Sequence, residues 1–192
     1  MIADPLLEHE WDVRSVDFPL TARSVVWEVG GFTGRWAQAI QDRYAPRLFV
    51  FEPQSWAFDR LVGRFKDCPN VKLYPFGLGE RTGDLLMSEF ETDGASFIRP
   101  PSRLTGWGRM QEIGQTARQL RVSAIDLMLV NVEGYEYVLI PHMLRVGVLP
   151  RWLVVQTHPL GQYNDADLRA TLLNRYRLMW DYGQVLSAWE LA

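Results

Sequence analysis

The chain has 192 residues, 47% of them apolar and 22% charged, with a formal net charge of −3. That is ordinary globular composition, and it excludes disorder, collagen and coiled coil as the main state. The length suits one domain, and the lack of a basic excess argues against nucleic acid as a partner, because phosphate neutralisation carries the affinity of nucleic-acid binders.

The first strong strand is Val25–Val29, followed by a glycine turn and a helical pattern from Gly34 to Arg43. Leu48–Phe51 reads as the second strand. Pro53 and Ser55 lead into a helix over Trp56–Phe65, closed by Pro69 and Asn70. Val71–Tyr74 is a third strand, ended by Pro75, Gly77 and Gly79, and Gly83–Ser88 is a candidate short strand. Leu127–Val132 is apolar nearly throughout, as a central strand covered on both faces should be. Gly134 opens a helix to Leu144, Trp152–Thr157 is the fifth strand, and Asp165–Tyr176 is helical. Arg177–Tyr182 and Val185–Glu190 flank Gly183 as a terminal hairpin. Strands alternating with helices predict an α/β fold with a mostly parallel sheet and helices on both faces.

Residues 96–121 break this rhythm. They hold Arg99, Arg103, Arg109, Arg118 and Arg121 against the single acid Glu112. A long irregular insertion in a compact domain is a functional or a solvated loop. The stretch 89–121 is the candidate acceptor-binding loop, and its charge suggests an anionic acceptor. Residues 1–192 otherwise form one domain, with 1–23 as an N-terminal extension.

The only cysteine, Cys68, allows neither an internal disulfide nor a Cys-based zinc site. The opening MIADPLLEHEWD places acids where a signal peptide needs basic and apolar residues. No apolar run approaches the ~18 residues of a membrane span. A cytoplasmic protein without membrane contact is expected.

The sharpest local signal is Glu28-Val29-Gly30-Gly31-Phe32-Thr33-Gly34, where a strand hands over to a helix. Glycines there admit a ligand close to the backbone, and the helix start offers unpaired N–H groups. A nicotinamide-dinucleotide fingerprint would place its first glycine at position 28. A carboxylate there repels a pyrophosphate and suits an ammonium or sulfonium instead. The plain alternative is a tight turn that binds nothing.

Glu52, beside Pro53, ends the next strand, where an acid accepts hydrogen bonds from a ribose diol in doubly wound folds. Glu28, the glycines and Glu52 thus share the strand-end crevice in which open α/β sheets bind ligands. Asn131-Val132-Glu133-Gly134-Tyr135-Glu136 ends the fourth strand and aims Glu133 at the same crevice, unless Glu133 is merely an acid in a helix's first turn. Gln156-Thr157-His158-Pro159 ends the fifth. His158 is a candidate general base near neutral pH, or else a loop histidine. His9 and His142 read as structural.

The order VVWEVGGFTG, LFVFEP, IDLMLVNVEGYE, VVQTHP resembles the FkbM-type methyltransferases, class I S-adenosylmethionine-dependent enzymes, over residues 24–160. The resemblance implies a Rossmann-like seven-stranded sheet whose last strand is antiparallel. It implies S-adenosylmethionine as cofactor and O-methylation of a hydroxyl on a sugar or natural-product small molecule. On the matching positions Glu28, Gly30 and Gly34 would hold the methionine end, within the turn that includes Gly31, Phe32 and Thr33. Glu52 and Pro53 would meet the ribose, and Gly77 and Leu78 the adenine.

The chain departs from the family at three places. Asn131 stands for the usual aspartate, Leu129 for lysine and Gln156 for an acid. An amide neither takes up a proton nor binds a hard cation well, so no metal is expected. General-base duty then falls to Glu133 or His158. The same changes suit a degenerate, non-catalytic binding module, which is the alternative reading.

Overall fold

The computed structural model describes residues 14–192 apart from 102, 159 and 184. Most of the expected 1–23 extension, His9, and Pro159 of the Gln156–Pro159 motif lie outside the described residues.

Seven strands form the main sheet. In chain order they are β1 (Val25–Val29), β2 (Arg47–Phe51), β3 (Val71–Tyr74), β7 (Leu127–Val130), β8 (Trp152–Gln156), β9 (Tyr176–Tyr182) and β10 (Leu186–Leu191). Their spatial order is β3-β2-β1-β7-β8-β10-β9, and β10 runs antiparallel to both of its neighbours. The expected sheet, mostly parallel with an antiparallel last strand, is the one observed. Neighbouring parallel strands are in register, with Glu28 opposite Val50 on one side and Leu129 on the other.

Side chains alternate across a strand, so each apolar run feeds two cores. Trp27, Val29, Phe49, Phe51, Met128, Val130, Leu153 and Val155 belong to one. Val26, Leu48, Val50, Leu127, Leu129, Trp152 and Val154 belong to the other. Helices α1 (Arg35–Tyr44) and α2 (Ser55–Arg64) supply Ala37, Ile40 and Leu61 to the second core. Helices α3 (Ile113–Gln119), α4 (Glu136–Arg145) and α5 (Asp165–Leu173) supply Ile113, Leu139, Ile140, Met143, Leu168 and Leu172 to the first. Covering both faces is what lets a parallel sheet be apolar throughout. Two of the helices open on side-chain caps. Glu112 accepts from the N–H groups of Gly114 and Gln115, and Asn164 from that of Ala166.

The arginine-rich stretch differs from its reading as a loop. Strands β4 (Gly77–Gly79), β5 (Gly83–Ser88) and β6 (Thr105–Glu112) make a second sheet in the order β4-β6-β5, and α3 follows directly. Along β6 the exposed Thr105, Trp107 and Arg109 alternate with the buried Gly108 and Met110. Two glycines hide this alternation in the sequence, and packing requires them. A Cβ on Gly106 would lie 2.4 Å from the Phe90 ring, and one on Gly108 2.4 Å from Met87 Sδ. Glycine inside a strand marks such a close approach.

Candidate functional site

A cavity of about 500 Å³ opens at the C-terminal ends of β1, β2, β7 and β8, within the range of small-molecule sites. Its wall brings together Glu28, Gly30, Gly31, Phe32, Thr33, Glu52, Pro53, Gly77, Leu78, Asn131, Glu133 and His158. Gly34 stands apart. It starts α1 with φ 80°, packed so that a Cβ would lie 2.6 Å from Leu61.

The turn after β1 is built on tight backbone contacts. The N–H groups of Gly30 and Gly31 both donate to the Phe51 carbonyl, at 3.0 and 3.1 Å. Gly30 has φ 88°, and Phe32 is also left-handed at φ 43°. Phe32 is held there by its N–H, which donates to Glu52 Oε2 at 2.7 Å. The other oxygen of Glu52 accepts from the Gln54 N–H at 2.8 Å. Burial pushes the Glu52 carboxyl up to about 7, against these two hydrogen bonds.

Glu28 lies deeper, at 2% exposure, and its Oε2 has no hydrogen-bond partner. Burial, then the neighbouring Glu52 charge, holds its carboxyl well above the usual range. A buried polar atom without a partner calls for a ligand or a compensating charge. Glu28 therefore fits a cationic group, and Glu52 retains lone pairs for hydroxyl donors.

The far wall, at Glu133 and His158, is backed by Glu136 and Arg99 in an array of alternating charge. His158 Nε2 lies 3.0 Å from Glu133 Oε1, and His158 Nδ1 lies 3.3 Å from Glu136 Oε1. Arg99 Nη2 binds the second Glu133 oxygen at 3.1 Å. Burial opposes protonation of His158, but hydrogen bonds and charge from Glu133 and Glu136 outweigh it and raise the ring to about 9. His158 is thus a cation and a donor at neutral pH, unsuited to take up a proton. Glu133 sits in the left-handed region at φ 52°, before Gly134 at φ 100°. Strain of that kind gathers at functional sites. Asn131 Oδ1 is buried on the same wall without a partner, and Gln156 Nε2 lies 3.3 Å from His158 Nε2.

Residues 93–97 close the cavity from the side, through Asp93, Gly94, Ala95 and Phe97. Gln54 ties this strap to the Glu52 turn. It accepts from the Glu91 N–H at 2.8 Å and donates to the Thr92 carbonyl at 3.0 Å. Ser96 Oγ donates to the Glu133 carbonyl at 2.7 Å.

Sequence reasoning missed Gln54, Arg99 and Glu136 as site groups. Glu136 was in plain view in the NVEGYE motif. Arg99 was seen only as one of five arginines, and Gln54 gave no signal.

None of the five arginines lines the wall; Arg99 lies behind it, paired with Glu133, and Arg103, Arg109, Arg118 and Arg121 are exposed. The wall instead carries Glu28, Glu52, Asp93 and Glu133 against Arg35 and His158. Four of the five arginines behind the expectation of an anionic acceptor therefore face solvent, and the fifth is paired with Glu133.

No protein-family model and no curated protein sequence matches the chain. Solved structures do. An rRNA methylase from Streptococcus thermophilus aligns over 100% of this chain and 98% of its own, at 14% identity and TM-score 0.54. The N-methyltransferase NodS from Bradyrhizobium japonicum aligns over 100% and 99%, at 13% identity and TM-score 0.56. Aeropyrum pernix fibrillarin with natively bound S-adenosyl-L-methionine aligns over 92% of this chain and 69% of its own, at 13% identity and TM-score 0.55.

The chain thus has the Rossmann-like fold of the class I S-adenosylmethionine-dependent methyltransferases. The exclusion of nucleic acid does not stand. An rRNA methylase shares this fold along nearly its whole length, so a net charge of −3 is no ground for setting such acceptors aside. Among the described residues no helix is long and apolar enough to cross a membrane.

Proposed function

We propose that the protein is an S-adenosylmethionine-dependent O-methyltransferase of the FkbM type, acting on a hydroxyl of a sugar or natural product. The observation that carries this reading is the partnerless, buried Glu28 oxygen facing a glycine turn, one strand away from Glu52. Glu28 would take the ammonium of the methionine end, Glu52 the ribose hydroxyls, and the Gly77–Leu78 backbone the adenine. Gly30 to Thr33 would shape the wall between them, with Pro53 beside the ribose. The motif order from VVWEVGGFTG to VVQTHP supports the FkbM assignment and the hydroxyl acceptor.

When bound, the cofactor supplies a methyl group activated by its sulfonium. The protein's own work is orientation and proton handling. Glu133, on the cavity wall 3.0 Å from His158 Nε2, is assigned as the general base for the acceptor hydroxyl. A base in that role is worth roughly 100- to 10,000-fold in rate. Asn131 Oδ1 accepts a hydrogen bond from the bound acceptor without taking its proton. Holding nucleophile and methyl group together can supply about 7–11 kcal/mol of the barrier.

Calorimetric titration with S-adenosylmethionine, S-adenosylhomocysteine and NAD tests the cofactor. The first two should bind and NAD should not, and no binding of either of the first two overturns the reading. Methyl-labelled cofactor with a panel of sugars, hydroxylated natural products and RNA then tests the acceptor. Label in a sugar or natural-product methyl ether supports the proposal. Label in RNA alone, or cofactor binding with no transfer to any acceptor, overturns the acceptor assignment.

A further inference from the structure

Glu136 is the first residue of α4 and is fully buried, at 0% exposure. Its Oε2 accepts from the Gly134 N–H at 2.9 Å. Its Oε1 accepts from the His158 N–H at 2.6 Å and faces His158 Nδ1 at 3.3 Å. One carboxylate therefore joins three parts of the fold: the left-handed turn after β7, the start of α4 and the end of β8.

Backbone capping alone does not call for a charge. Burying a carboxylate is costly unless an opposite charge and hydrogen bonds meet it. The cation that meets this one is His158, whose other ring nitrogen points to Glu133 on the cavity wall. The ring is pinned from both sides, as a carboxylate behind a histidine fixes its orientation.

We propose that Glu136 is a positioning residue, its buried carboxylate anchoring the His158 ring so that Nε2–H holds Glu133 in place as the base for methyl transfer. The inference rests on the methyltransferase reading of the cavity. The groups facing His158 are Glu133 from the turn after β7, Glu136 from α4 and Gln156 from β8, with Arg99 beyond Glu133. Between the two carboxylates His158 stays protonated through neutral pH, so its donor role is constant there. The nearby Gly134 and Ser96 contacts fix the backbone that carries Glu133.

The test is the His158 ring titration by NMR in wild type and in Glu136→Gln, each as the full chain, with His158→Asn to assign the signal. Wild type should titrate near 9, and Glu136→Gln should lower the midpoint by one pH unit or more, tenfold in proton affinity. With an acceptor in hand, kcat should fall at least tenfold in Glu136→Gln, with cofactor Kd unchanged and Glu136→Asp restoring part of the loss. An unchanged His158 midpoint in folded Glu136→Gln overturns the proposal, and so does unchanged kcat. If Glu136→Gln fails to fold, Glu136→Asp is titrated instead, and a midpoint equal to wild type overturns it equally. Failure of the wild type to bind S-adenosylmethionine strikes the methyltransferase reading alone, because the titration reports the anchoring of His158 without any cofactor.

Discussion

Gly30 and Asn131 pack backbone to backbone across the ends of β1 and β7. A Cβ on Gly30 would lie 1.8 Å from the Asn131 carbonyl oxygen. No side-chain rotation relieves such a clash, and the left-handed φ adds its own cost to any other residue. Gly30→Ala should therefore destabilise the fold by about 3 kcal/mol or more and abolish S-adenosylmethionine binding. Denaturant unfolding and calorimetry read the two effects. Unfolding at wild-type denaturant concentration would show that the two strand ends can separate.

Stability should fall as pH rises. Unfolded, Glu52 ionises near its ordinary 4.5, whereas in the fold it holds its proton to about 7. Between those values the native state binds more protons than the unfolded state, so rising pH favours unfolding. Glu52 alone then removes about 3 kcal/mol between pH 4.5 and 7, and the raised carboxyl of Glu28 acts with the same sign. Urea unfolding at pH 5 and pH 7 measures the drop, which Glu52→Gln should shrink. A cationic cofactor reverses the trend in binding, with affinity rising over the same window.

Arg99 closes the strap by its pair with Glu133. Both side chains are partly exposed, so solvent screens the pair and its stability contribution is small. Arg99→Ala should leave unfolding within about 1 kcal/mol of wild type. It should speed limited proteolysis between residues 89 and 99 and lower kcat about tenfold. Equal proteolysis rates would show that Gln54 and Ser96 suffice to hold the strap.

Arg103 and Arg109 are exposed and do not line the cavity. The double reversal Arg103→Glu/Arg109→Glu should leave KM for a sugar or natural-product acceptor within about twofold of wild type. A tenfold rise would place the acceptor on the outer face of β5 and β6.

The strands of the main sheet and the glycine turn at the cavity were legible because strong local rules apply there. Three of the five residues of Val25–Val29 are valine, and Glu28 to Gly34 is a glycine turn between a strand and a helix. β6 was illegible because Gly106 and Gly108 break its alternation, and the need for them arises only when Phe90, Met87 and Phe97 pack against it. His158 was legible at a strand end, as one of two candidate bases with Glu133, but its contacts were not. Its partners Glu133 and Glu136 are distant in sequence by more than 20 residues, and only the fold brings them to the ring. Gln54 follows a legible Glu52, yet its contacts with Glu91 and Thr92 depend on where the strap runs.

The main sheet also acts as a ruler. Glu28, Glu52, Asn131 and Gln156 lie at or next to the ends of strands held at fixed parallel register, and neighbouring strands lie about 4.8 Å apart. A slip of one residue in any strand would turn its terminal group to the opposite face. The spacing of the cavity's edge is thus written in backbone hydrogen bonds, remote from solvent. The straps and turns above it can diverge in length and chemistry while the edge itself stays the same.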